Sequence, residues 1–170
     1  MAALSALTTP GDPNLVWQKV SKHLANATPA AQAAFKSLRN YLVSQKGNPE
    51  LVLKTFSQAE LVTADDGLGI GAGTAKIYGI YAKKGDDATD ATFLLVDNGT
   101  DDNIYAGSLT ASYALSVFTR IAEDEFMFID PAGYDILLGI RLASVTAPSG
   151  TTVTVAAADT VDGFLIYGRA

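Results

Sequence analysis

The chain has 170 residues, of which 48% are hydrophobic and 18% charged, with a net charge of −6 and no cysteine. This size and composition fit one ordinary domain with a proper core and exclude wholesale disorder. The missing cysteine removes disulfides, thiolate metal sites and thiol nucleophiles, and the acidity argues against non-specific nucleic-acid binding, which needs clustered Lys and Arg.

The charge is unevenly spread. Residues 1–50 hold five bases (Lys19, Lys22, Lys36, Arg39, Lys46) and two acids (Asp12, Glu50), a balance of +3. Residues 51–170 hold seven bases and sixteen acids, a balance of −9. Two units are expected: an N-terminal arm with a helical hairpin over 1–50, and a β-sandwich domain over 51–170.

Residues 1–11 read as an extended arm of small residues ending in Thr8-Thr9-Pro10-Gly11. Leu4 and Leu7 make the arm able to dock onto something else. It carries no positive charge and too short an apolar stretch for a signal-peptide core. The longest apolar run, 136–140, is far below membrane-spanning length, so a soluble, unexported chain with no membrane partner is expected.

Asp12-Pro13 is a helix start, an acceptor for the cap followed by proline where the missing N–H does no harm. Trp17, Val20 and Leu24 then share one face, with Lys19 and Lys22 off it. Thr28-Pro29 repeats the signal, and Ala31, Phe35, Leu38 and Leu42 form a second stripe, with Ala34 and Tyr41 beside it. Gly47 and Pro49 stop that helix. A pair this small cannot bury both stripes alone, so it must pack on the β body or on a neighbour.

From residue 51 the period becomes strand-like. Strands are expected at 51–56, 59–63, 74–82, 92–96, 115–121, 126–129, 135–144, 151–157 and 164–168, separated by Asp, Gly and Pro. The alternating glycines of 67–73 read as a flexible linker or wide turn. Within 74–82, strict alternation puts Ile77, Gly79 and Tyr81 on one side and Lys76, Tyr78 and Ile80 on the other. The whole reads as mainly β, a β-sandwich or jelly roll of about eight strands with a short N-terminal arm and a two-helix element. An α/β sheet would need helical crossovers that the sequence after residue 50 lacks.

No motif carries chemistry. The glycine run has Ala72 and Thr74 where a dinucleotide fingerprint needs glycine, and Lys76 is preceded by Ala75 with no helical pattern after it, so no phosphate loop forms. Acidic clusters at Asp86-Asp87-Asp90, Asp97 with Asp101-Asp102, and Glu123-Asp124-Glu125 miss the spaced calcium-loop pattern and read as solvated turns. Ser108 lies outside a nucleophile elbow, and the one histidine, His23, belongs to the first helix. No catalytic residue, metal site or cofactor is expected, and the chain reads as a non-enzyme. Six of the seven tyrosines lie in the strand-rich part, where they serve either the core or a binding surface.

The layout resembles that of small structural proteins of tailed-phage virions, above all the decoration (cement) proteins that coat the capsid lattice. The likeness rests on the Thr8-Thr9-Pro10 arm, the Asp12-Pro13 helix start, strand-turn segments such as 151–155, and the closing Phe164-Leu165-Ile166-Tyr167-Gly168-Arg169. It spans most of the chain in style and carries no functional residue over individually. It implies a homo-trimer or homo-dimer that sits on the major capsid protein lattice and stabilises the shell. The location implied is the capsid surface of the virion, after synthesis in the host cytoplasm. Leu4, Leu7 and Trp17 are the candidate interaction residues, because an arm and helix pair suit the covering of sheet edges or the reach to a neighbour. Two rivals remain open: a carbohydrate- or receptor-binding jelly roll of fibre or lectin type, stacking sugars on Tyr105, Tyr113 or Tyr134, and a hydrolase built from loop carboxylates.

Overall fold

The structure, a computed structural model, describes residues 12–47, 49–57, 60, 68–84, 91–97, 114–121, 125–137, 139–145 and 161–169. Two helices come first, α1 (Pro13–His23) and α2 (Pro29–Gln45). Both begin as the caps dictate. The Asp12 carboxylate accepts from the Asn14 N–H at 2.8 Å, the Thr28 hydroxyl accepts from the Ala31 N–H at 3.2 Å, and proline fills the first turn of each. Lys46 closes α2, and Gly47 leaves it with φ +69°, a left-handed turn that glycine adopts without a Cβ penalty.

The strands follow as β1 (Val52–Phe56), β2 (Leu68–Ala72), β3 (Ala75–Lys84), β4 (Ala91–Asp97), β5 (Ala114–Ile121), β6 (Glu125–Ile136), β7 (Gly139–Val145) and β8 (Val161–Arg169). They pair antiparallel throughout, in the order β1-β8-β3-β6 in one sheet and β2-β7-β4-β5 in another. A mainly β, antiparallel body after two helices agrees with the sequence expectation.

The first sheet is buried on both faces. Toward the second sheet it turns Phe56, Ala75, Ile77, Ile80, Ala82, Ile136, Leu165 and Tyr167, which share a core with Ile70 of β2 and Ile140 and Leu142 of β7. Its other face carries Tyr78, Tyr81, Phe164 and Ile166, which pack under the helices with Leu51. The helical stripes meet them as the spacing requires: Val16, Trp17, Val20 and Leu24 from the first helical segment, and Ala31, Phe35, Leu38 and Leu42 from α2. Alternation along β8 is clean, Phe164 and Ile166 under the helices and Leu165 and Tyr167 between the sheets. Residues 1–50 and 51–170 are therefore joined by a continuous apolar layer wherever both are described.

Four local expectations differ from the structure. In β3 the register shifts between Ile77 and Gly79, so Tyr78 is an extra residue opposite the Ile166–Tyr167 step of β8. Ile77 and Ile80 consequently share the inter-sheet core, whereas Tyr78, Gly79 and Tyr81 all face the helices. Residues 68–72 of the glycine run form a strand with its own register shift between Gly69 and Gly71. Pro131 and Gly133 do not end a strand; they lie in an irregular stretch inside β6, where Asp130 accepts from the Ala132 N–H at 3.0 Å and Gly133 takes φ +89°. The break falls instead at Leu137, between β6 and β7. The strands expected at 59–63 and 151–157 fall on residues outside the described ones, apart from Glu60, which is helical.

Gly79 shows how tightly α2 sits on the sheet. A Cβ there would lie 2.9 Å from Phe35 Cε1, closer than such contacts allow, and a tight 3.2 Å from Leu38 Cδ2. Gly79→Val raises strand propensity yet should lower stability by about 1–3 kcal/mol, because overpacking outweighs propensity at a full contact. Chemical denaturation measures this, and an unchanged or raised midpoint would contradict the packing described.

Candidate functional site

Three parts of the described surface carry candidate chemistry: the helical layer, a polar clamp at its edge, and a groove between the helices. The clamp joins three elements. Glu125, the first residue of β6, accepts from the Tyr81 hydroxyl at 2.7 Å and from the Thr28 N–H at 3.2 Å through one oxygen, and from the Thr28 hydroxyl through the other. Thr28 is the cap of α2, so its hydroxyl donates to Glu125 while accepting from Ala31. The carboxylate thus sits at the N-terminal end of α2, where its charge favours the helix dipole.

Burial raises the Glu125 pKa, but the Thr28 hydroxyl, the Tyr81 hydroxyl, the Thr28 N–H and the Lys83 charge together bring it below the ordinary carboxylate value. Burial, then the hydrogen bond and charge of Glu125, push the Tyr81 phenol up. The acid is held ionised and the phenol held protonated. Together they tie the start of α2 to β3 and β6.

Beside it, the rings of Phe35, Tyr81 and Phe164 form a seam, with centroids 5.3 Å apart for Phe35–Phe164, 5.5 Å for the stacked Tyr81–Phe164 pair and 6.4 Å for the edge-on Phe35–Tyr81 pair. His23 lies with its ring centroid 5.8 Å from that of Phe164, a packing position at the end of α1.

The groove, about 290 Å³, runs between α1 and α2. Its apolar lining is Trp17, Val20, Leu24 and Phe35, and its polar lining includes Lys36 and Arg39. Trp17 is 3% exposed, and its buried indole Nε1 has no hydrogen-bond partner among the described residues.

Of the candidate interaction residues, Leu4 and Leu7 lie outside the described residues. Trp17 spends most of its surface inside the helix–sheet core and presents only what lines the groove. The structure adds Leu15, Tyr41 and Val43 as exposed apolar side chains on the helices. Leu15 could have been found as the one apolar residue of α1 off its stripe.

Tyr105 and Tyr113 fall outside the described residues; Tyr134 packs edge-on to Phe128, centroids 6.2 Å apart, against the inter-sheet core. Most of the acidic clusters are likewise outside, except Asp97 at the end of β4 and Glu125 in its clamp. Among the described residues no group of three His, Asp or Glu is placed to hold a metal ion, and no helix is long and apolar enough to cross a membrane.

The clamp sets a pH dependence. A carboxylate whose folded-state pKa is depressed contributes stability that is complete above its unfolded value, near 4.5, and is lost as pH falls through the folded value. Glu125→Gln should therefore cost about 1–2 kcal/mol at neutral pH, the worth of charge-assisted hydrogen bonds at a partly exposed site. The gap between variant and parent should close as the solution is acidified below the ordinary carboxylate range. Thermal melts across that range decide it, and a gap that stays constant with pH would refute the clamp.

No protein-family model matches the chain, and no characterised protein matches it.

Proposed function

We propose that this chain is a structural virion protein of the decoration type, which binds a phage capsid as a homo-oligomer and stabilises the shell. The observation that carries the reading is the strand order. The order β1-β8-β3-β6 in one sheet and β2-β7-β4-β5 in the other, with the first and last strands paired, supports reading the body as a jelly roll. Jelly rolls recur in viral capsid and lectin domains, where the architecture serves assembly and binding. Fold alone does not fix function, so the layout of the chain must add to it.

Two features do. The basic balance of segment 1–50 and the acidic balance of segment 51–170 suit complementary association with copies or with a lattice. The described polar clusters are paired within the molecule: the clamp, the exposed Lys76–Asp135 ion pair at 2.6 Å, and the exposed Lys54–Glu60 pair at 3.9 Å. On this reading the arm, with Leu4 and Leu7, reaches the capsid lattice or a neighbouring copy, and the protein performs no catalysis. The carbohydrate-binding alternative shares the jelly roll, but Tyr134, its one described tyrosine, packs against the inter-sheet core.

Deletion of residues 1–11, which stops short of the Asp12 cap, tests the reading. The truncated protein should keep its circular dichroism and melting transition, while losing at least about tenfold in affinity for assembled shells in co-sedimentation. Equal binding by full-length and truncated protein would remove the arm from the account. Failure of the full-length protein to bind any shell, with light scattering giving a monomer, would overturn the proposal itself.

A further inference from the structure

The helical layer carries charge that its own fold does not use. From residue 13 to residue 49 the chain holds five cations, Lys19, Lys22, Lys36, Arg39 and Lys46, and no acid. All five are exposed, and none is in an ion pair among the described residues. Lys22 in the last turn of α1 and Lys46 at the cap of α2 suit the helix dipoles. Lys19, Lys36 and Arg39 have no such role. Their neighbours three and four positions away are all uncharged or basic, so Lys19–Lys22 and Lys36–Arg39 repel rather than brace their helices. Residues 1–11 hold no charged side chain, so that segment cannot neutralise the layer. The same two helices carry Leu15, Tyr41 and Val43, three of the four large apolar side chains exposed among the described residues.

We propose that the exposed face of α1 and α2 is a docking surface for the acidic side chains of a second copy of this chain. The inference rests on the homo-oligomer proposed above and names its contact. The complement is present in the same sequence: outside residues 13–49 the chain holds seven bases and eighteen acids, a balance of −11. Two copies of net charge −6 repel at a distance, and contact through a layer of +5 offsets that repulsion. A nucleic acid would meet the same five cations, but its phosphates would also meet the repulsion of the acidic remainder. Phosphates have no use for the apolar side chains either. A protein partner does, since interfaces join apolar and aromatic groups to Arg, as Leu15, Tyr41 and Val43 stand on the helices of Arg39.

Self-association of the full chain is followed by light scattering and sedimentation at neutral pH. Raising salt from about 50 to about 500 mM should weaken it at least about tenfold, because exposed charges are screened. Lys19→Glu, Lys36→Glu and Arg39→Glu combined, all at exposed positions, should weaken it at least about tenfold in low salt while the circular dichroism is unchanged. The salt response of the unmodified chain decides independently of how the variant folds. A monomer in low salt, an association indifferent to salt, or a folded triple variant that associates like its parent would each overturn the inference. So would a triple variant that stays oligomeric but loses binding to duplex DNA or to shells, which would give the face another partner. Copies that associate through this face yet never co-sediment with shells would uphold the contact and remove the capsid role.

Discussion

The whole architecture depends on one sheet being buried twice. Sheet β1-β8-β3-β6 has apolar side chains on both faces, one packed on the second sheet and one under the helices. A strand in that position alternates between two cores, which is why β8 reads Phe164-Leu165-Ile166-Tyr167 without a polar interruption. The helix pair is short and its stripes are wide, so it has no stable existence away from that face. The rings of Phe35, Tyr81 and Phe164 join the two layers, and the Glu125 clamp fixes the start of α2 over the ends of β3 and β6.

The bulge at Tyr78 makes this joint possible. In a regular strand, consecutive residues would alternate, and one of Tyr78 and Gly79 would turn toward the second sheet. The inserted residue lets both face the helices: the tyrosine fills the layer, and the glycine leaves the space that Phe35 and Leu38 occupy. Gly163 does a related job on β8, because a Cβ there would overlap the Tyr81 carbonyl oxygen, so β8 and β3 approach more closely than a side chain would permit. Gly79 thus sets the spacing of α2 on the sheet, and Gly163 that of two neighbouring strands, while large aromatics fill the layer.

Much of this was legible in the sequence. The caps at Asp12 and Thr28 and the stripes through Trp17 and Phe35 follow from local chemistry and a 3.6-residue period, and both are where the pattern puts them. The faces of β3 were not legible, since a one-residue insertion reverses every later side chain and leaves no mark in the local pattern. Pro131 and Gly133 read as a terminator because strands rarely contain them, yet an irregular stretch within β6 absorbs both. Nothing near Glu125 in the sequence announces Thr28, 97 residues away. The groove was equally hidden: Lys36 and Arg39 look like an ordinary solvated helix face until the α1–α2 turn sets them beside Trp17.

The proposed role in a virion accords with a molecule whose described apolar residues go mostly into layered packing. The central physical claim is narrower: the helical layer is part of the same cooperative unit as the sheet beneath it. Amide hydrogen exchange tests this most directly. The account predicts that Leu38 and Leu42 of α2 and Leu165 and Ile166 of β8 open with the same free energy to within about 1 kcal/mol, through global unfolding. Exchange of the α2 amides through a local opening that leaves β8 protected would contradict it.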